Sequence, residues 1–209
     1  DATAMGGFKA DQLGAMDAAA MSGFKADQVA GLDATAMGGF KADQLGAMDA
    51  AAMSGFKADQ VAGLDATAMG GFKADQLGAM DAAAMSGFEA AQITGLNAAA
   101  MSGLGADQVA ALLPTAVAGF ESEQIKEISV EAIANLDADK MGALTKEALG
   151  GMSNNQFRAL DPDALGGLKS ENLGGFGAEV FSAMTEADLE NLDATEVKDM
   201  AGEDFSKLV

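Results

Sequence analysis

The chain contains no cysteine, histidine, tryptophan or tyrosine, only 2 prolines, and a single arginine, Arg158. Without cysteine there are no disulfides and no thiolate metal sites, and without histidine the other common zinc ligand is missing too. The same absences remove the most frequent acid–base and nucleophilic groups of enzymes. Carboxylate pairs remain, but no isolated pair stands out, so an enzyme is not expected. Positive charge is scarce: 12 Lys and Arg face 32 Asp and Glu, for a net charge of −20. Affinity for phosphate backbones comes from Lys and Arg, so no nucleic-acid partner is expected. No basic cluster is present to attract anionic lipid. No run approaches the roughly 18 apolar residues that span a bilayer, so no membrane insertion is expected. The chain opens on Asp1 without a charged-then-apolar leader, so any targeting segment lies outside it.

What is present is apolar and small. Hydrophobic residues make up 49% of the 209 positions, with 27 Gly, 14 Met and 11 Phe. That is too apolar for a solvated disordered chain, and the glycines lack the three-residue period of collagen. Their period is eight. Residues 1–32 read DATAMGGF KADQLGAM DAAAMSGF KADQVAGL, and residues 33–64 repeat this block identically. Residues 65–88 repeat its first three octads, and the frame then runs without insertion to Leu208 as the octads diverge. A frame held this long is a repeat architecture. Above the octad lies an alternation of two octads, in which DATAMGGF or DAAAMSGF is followed by a KADQ octad.

Within the octad, position 5 is Met, Leu, Val, Ile or Phe, position 8 is Phe, Met, Leu or Ile, and position 2 is usually Ala. Apolar groups at 2, 5 and 8 have helical spacing, whereas alternation and β-branched residues, the marks of a strand, are scarce. One continuous helix fails, because an eight-residue period drifts by about 80° per octad at 3.6 residues per turn. The pattern predicts one short helix per octad. Asp, Ser, Thr or Asn at position 1 is the N-cap, Gln at position 4 resembles a capping box, and both prolines, Pro114 and Pro162, fall at the first helical position. Where position 1 is Lys, Asp at position 3 serves the first-turn N–H groups. Gly at positions 6 and 7 is expected to turn the chain through positive φ. Such short helices are unstable alone and require stacked neighbours.

The expected fold is therefore an all-α solenoid of short helices, one per octad. The two-octad alternation favours two octads per coil, hence thirteen coils and a rod of roughly 120 Å at about 9 Å per coil, whereas three per coil would give a triangular cross-section and mixed columns. A single array spans residues 1–209: near-identical repeats over 1–88, diverged repeats over 89–176, and polar capping repeats over 177–209. Residues 1–88 carry 11 acids and 5 lysines, net −6; the remainder carries 21 acids and 7 bases, net −14. Core positions in the first block are Met5, Phe8, Leu13, Met16, Met21, Phe24, Val29 and Leu32. Asp11, Asp27, Asp43, Asp59 and Asp75 recur in every second octad. Two octads per coil would align them as a ladder able to hold Ca²⁺ weakly, although carboxylates about 9 Å apart do not share one ion at 2.3–2.6 Å. The bland reading of these residues is capping and a solvated face. No cofactor is expected beyond weak Ca²⁺.

Octads such as SVEAIANL, TKEALGGM and ESEQIKEI resemble the Leu-Thr-x-x-Gln-Ile/Val-x-Ala repeats of very large bacterial surface and secreted adhesin-like proteins. The resemblance covers the chain at the level of the octad. It implies an extended extracellular or cell-surface spacer or fibre, and it names no ligand. The functional expectation is a structural repeat protein, a rod, stalk or filament subunit. The alternative is a binding module that presents a regular acidic face to a protein, polysaccharide, cation or mineral. The first octad lacks a polar cover while the last octads are polar, so self-association is expected to run head to tail.

Overall fold

The structure is a computed structural model that describes residues 2–192. Every regular element among them is helical, with twenty α-helices and four 3-10 helices, each of four to six residues. Each octad contributes one, from Ala2–Met5 to Glu186–Asn191. The local pattern is constant. The position 5 N–H donates to the position 1 carbonyl in most octads, as Leu45 does to Lys41 at 3.0 Å, and the position 8 N–H donates to the position 5 carbonyl, as Met48 does to Leu45 at 3.1 Å. Positions 8 and 1 then form the corner. Phe40 has φ −67°, ψ 141° and Lys41 has φ −106°, ψ 160°, both extended.

That corner corrects one expectation. Among the described residues none has positive φ, glycines included. Two consecutive extended residues redirect the chain in a conformation open to any L-residue. The glycines must serve another purpose.

The packing corrects a second. Helices that pack directly belong to octads three apart, not two. Ala10–Gly14 packs on Ala34–Gly39, Ala42–Ala47 on Ala66–Gly71, and Ala138–Ala143 on Pro162–Gly167. The chain therefore returns over itself every third octad, in layers of three octads. The same pairing continues unbroken across positions 88 and 176. Of the polar segment 177–209, the part beyond Leu192 lies outside the described residues.

A two-octad alternation inside a three-octad layer has a physical sense. It places every KADQ octad against octads of the Asp-Ala-Thr/Ala-Ala-Met type, above and below. Two octads per layer would have put Asp on Asp along one edge. Three put Lys9, Asp33, Lys57 and Asp81 along one edge, Lys25, Asp49 and Lys73 along the second, and Asp17, Lys41 and Asp65 along the third. At about 9 Å in water, each like-charge neighbour avoided is worth about 0.5 kcal/mol. That is too little to choose the fold, so the choice falls to the core and the contacts between layers.

The core is a single apolar column. Leu13, Met21, Val29, Met37, Leu45 and Met53, all at position 5, are fully buried. Phe40, Met48, Phe56 and Leu64, at position 8, are buried beside them. Of the other core positions expected in the first block, Met5, Phe24 and Leu32 are buried, while Phe8 and Met16 are partly buried and packed against the cluster. Fully burying a side chain of this size is worth about 1.5–3 kcal/mol. Two per octad hold helices that could not stand alone.

Candidate functional site

The side chains with a specific task lie between the layers. Position 4 of alternate octads is Gln, and seven of these, Gln44, Gln60, Gln76, Gln92, Gln108, Gln124 and Gln156, are buried polar groups. Each uses both ends of its amide. Gln76 Oε1 accepts from its own octad's Lys73 N–H at 2.9 Å, the half of a capping box visible in sequence. Its Nε2 donates to the carbonyls of Leu45 at 2.8 Å and Met48 at 2.7 Å, in the layer beneath. Gln92 repeats this with Glu89 N–H and the carbonyls of Val61 and Leu64, and Gln156 with Ser153 N–H and those of Ile125 and Ile128. The two carbonyls belong to the end of a short helix, where acceptors have spare capacity, and the position 5 carbonyl takes the amide as a second donor beside the position 8 N–H. One Gln thus caps the start of its own helix and the end of another in the preceding layer.

Glycine at position 7 makes the second contact. A Cβ on Gly39 would lie 1.9 Å from the Ala10 carbonyl oxygen, on Gly71 1.8 Å from that of Ala42, and on Gly103 1.8 Å from that of Ala74. No side chain fits there. These glycines are set by the close approach of one backbone to the helix beneath, the second established use of the residue. Position 6 of the same octads is looser, where a Cβ on Gly70 would sit 3.6 Å from its nearest neighbour, but in the KADQ octads it is tight, at 2.8 Å for Gly46.

Asp11, Asp27, Asp43, Asp59 and Asp75 are exposed and do not form one ladder. With three octads per layer they pass from side to side of the array, and only Asp11 with Asp59, and Asp27 with Asp75, share a side, two layers apart. The carboxylates of Asp11, Asp43, Asp59 and Asp75 each accept from the next residue's N–H at 3.0 Å, the first-turn role expected of them. Among the described residues no three carboxylates come together in a group that could hold a metal ion. In the other octad type Asp17, Asp33 and Asp65 cap their helices with the side chain, whereas Asp49 and Asp81 do not. Asp33 accepts from Thr35 N–H at 2.9 Å and Thr35 Oγ1 at 2.6 Å, and Asp65 from Thr67 likewise. The hydroxyl bond first, and the backbone bond second, hold both carboxyls below the usual value.

The lysines at position 1 are exposed. Lys57 Nζ donates to the Ala30 carbonyl at 2.8 Å, and the ion pairs among the described residues are Lys126–Glu123 and Lys140–Asp137. The large exposed apolar residues, Leu113, Val130 and Leu189, lie in separate layers. Among the described residues no helix is long and apolar enough to cross a membrane.

Sequence reasoning missed the interlayer role of Gln; it gives small residues, Ala or Gly, the close approach of backbones but does not single out position 7. The signal for Gln was its identity. A capping box is served equally by Glu, so repeated Gln marks a need for a donor as well as an acceptor. For Gly the signal was the contrast between a position 7 that is Gly in one octad type and a position 6 that tolerates Gly, Ser or Ala. No family model matches the chain, and no curated protein matches it in sequence.

Proposed function

We propose that the chain is a structural repeat protein: a solenoid of three octads per coil that acts as an extended rod or stalk, assembles head to tail, and works at or beyond a bacterial cell surface. The observation that carries this reading is the constant pairing of helices three octads apart through the described chain. The buried Gln amides and the position 7 glycines are spent on joining one layer to the next. A column joined only to its neighbours grows in length and leaves its sides free to vary. The octad resemblance to large surface proteins supports the extracellular placement, and the charge of −20 keeps such rods apart side by side. On this reading the chain performs no catalysis.

The corrected coil shortens the rod. Eight layers at about 9 Å give about 70 Å for the described residues, in place of the longer rod of a two-octad coil. Small-angle X-ray scattering of the full chain tests this. A rod of that length has a radius of gyration above about 20 Å, whereas a compact domain of the same chain length has about 17 Å. The smaller value overturns the rod. A mass that stays at one chain at all concentrations overturns head-to-tail assembly while leaving the rod in place.

A further inference from the structure

From the octad at 33–40 to that at 161–168, the two interlayer devices alternate with one lapse each, and the two lapses are adjacent. Position 7 of every Asp-Ala-type octad in this range is Gly except at 129–136, where it is Asn135. Position 4 of every alternate octad from 41–48 to 153–160 is Gln except at 137–144, where it is Lys140. Both lapses face the same helix, Ala106–Ala111. By the register of the array, a Gly in place of Asn135 would lie against the Ala106 carbonyl, as Gly39 lies against Ala10 and Gly119 against Ala90. In the same register, a Gln in place of Lys140 would reach the carbonyls of Val109 and Leu112, as Gln124 reaches those of Ile93 and Leu96.

Neither substitute does the work. The Cβ positions of glycines in this role fall 1.7–2.1 Å from the facing oxygen, a space no Cβ occupies, so the backbone at Asn135 cannot make the glycine's close approach to the carbonyl beneath. Asn135 is not buried and donates within its own octad, to the Glu131 carbonyl at 2.8 Å. Lys140 is buried at 6% exposure, but its Nζ turns to Asp137 Oδ2 of its own octad at 2.5 Å. No described side chain in residues 129–152 donates to the layer beneath.

We infer that the array carries one compliant seam, where octad 129–136 rests on 105–112 and position 140 faces the end of that same helix, and that it opens there before it opens elsewhere along 33–168. Apolar burial at the seam is intact, since Ile133, Leu136, Met141 and Leu144 are buried, so the layers stay together under native conditions. What the seam lacks is the directional bonding and tight backbone contact that hold every other layer in that range in one orientation. A rod with one such joint bends and yields at a set point and keeps the segments on either side folded.

Hydrogen exchange of the full chain under native conditions tests this, because local opening is read octad by octad. Amides of 129–144 are expected to exchange about tenfold faster than those of both 89–104 and 153–160, the effect of one lost clamp of about 1.4 kcal/mol. The double variant Asn135→Gly, Lys140→Gln is expected to remove that difference. The single variant Gln92→Lys is expected to create a second fast segment in 89–96. Exchange that rises steadily toward the C-terminus, with 153–160 faster than 129–144, overturns the seam. So does a double variant that leaves 129–144 unchanged.

Discussion

Residues 33–88 and residues 89–192 fold to one plan with very different freedom in sequence. In the first region each octad nearly copies the octad four units before it. In the second, position 1 runs through Glu89, Asn97, Gly105, Leu113, Glu121, Ser129 and Asp137, yet the backbone there stays extended, as at Glu89 (φ −111°, ψ 160°) and Leu113 (φ −79°, ψ 149°). Position 5 stays apolar from Ile93 to Leu189 and is buried in every octad as far as Leu173, while Phe181 is partly buried and Leu189 exposed. The difference separates what duplication copied from what the fold requires. Charges and caps drift freely. The apolar column, the position 7 glycines and the Gln amides persist as far as residue 168, with one lapse each of glycine and Gln, at the adjacent octads of Asn135 and Lys140.

The comparison is tested most severely at the glycines. Gly103→Val puts a side chain where a Cβ alone would lie 1.8 Å from the Ala74 carbonyl oxygen, and is expected to cost about 3 kcal/mol or more, with backbone shifts on both sides. Gly70→Ala has room at 3.6 Å and is expected to be neutral or slightly stabilising, since Ala is the better helix residue by about 1 kcal/mol. Urea unfolding of the two variants checks the contrast. Similar losses at both positions would mean that the close approach does not set residue identity.

Next in size is the amide. Gln92→Leu removes the amide's bonds to the Val61 and Leu64 carbonyls and to the Glu89 N–H, leaving Val61 only its bond from Leu64 N–H, and is expected to cost about 2–3 kcal/mol. Gln92→Glu is the sharper variant. It keeps the cap on Glu89 but turns a carboxylate toward two carbonyls, and is expected to cost at least as much at neutral pH. A neutral Gln92→Glu in the same urea experiment would reduce the residue to a capping box.

In the diverged region the same device can be repaired. Asn172 is one methylene short. It donates to the Leu144 carbonyl in the layer beneath, but its Oδ1 is buried without a hydrogen-bond partner. Asn172→Gln lengthens the reach to the Lys169 N–H and is expected to raise stability by about 1 kcal/mol, seen as a higher unfolding midpoint. No gain, or a loss, would show that this corner tolerates only the shorter side chain.

The smallest expected effect concerns pH. Burial raises the Asp137 carboxyl, but the hydrogen bonds from the Lys140 side chain and backbone, together with the ammonium charge, outweigh it and leave the group below its ordinary 3.8. A depressed carboxyl contributes stability that is present above the ordinary value and lost as pH falls through the folded one. Asp137→Asn is therefore expected to lower stability slightly at neutral pH and to flatten the acid limb below pH 3.8. Melting curves across that range check it, and an unchanged acid limb would remove Asp137 from the titration.

Much of this was legible in the sequence. The octad frame, the helix per octad, the caps at Asp33 and Asp65, and burial at positions 5 and 8 all follow from local spacing, and local spacing survives folding. The number of octads per layer did not follow, because it is a property of contacts between octads distant in the chain. The two-octad alternation pointed to stacking of like on like, whereas the contacts between layers join unlike octads, a Gly-bearing helix against a KADQ helix. The role of position 7 was hidden for the same reason. Glycine at a helix end reads as a turn residue until the neighbouring backbone is seen, and here the corner belongs to positions 8 and 1. The five aspartates expected to form a ladder were displaced to three sides by that same change from two octads to three.

The layer number can be measured directly, since the chain has no cysteine and labels can be placed at will. Nitroxides at Ser22→Cys and Ala118→Cys, both exposed position 6 sites separated by twelve octads, would report one distance by pulsed electron resonance. Three octads per layer place the sites four layers apart, at about 36 Å, whereas two octads per coil place them six apart, at about 54 Å. A distribution centred near the shorter distance is the expected result. One centred near the longer would contradict the three-octad layer, and with it the roles assigned to Gln and Gly.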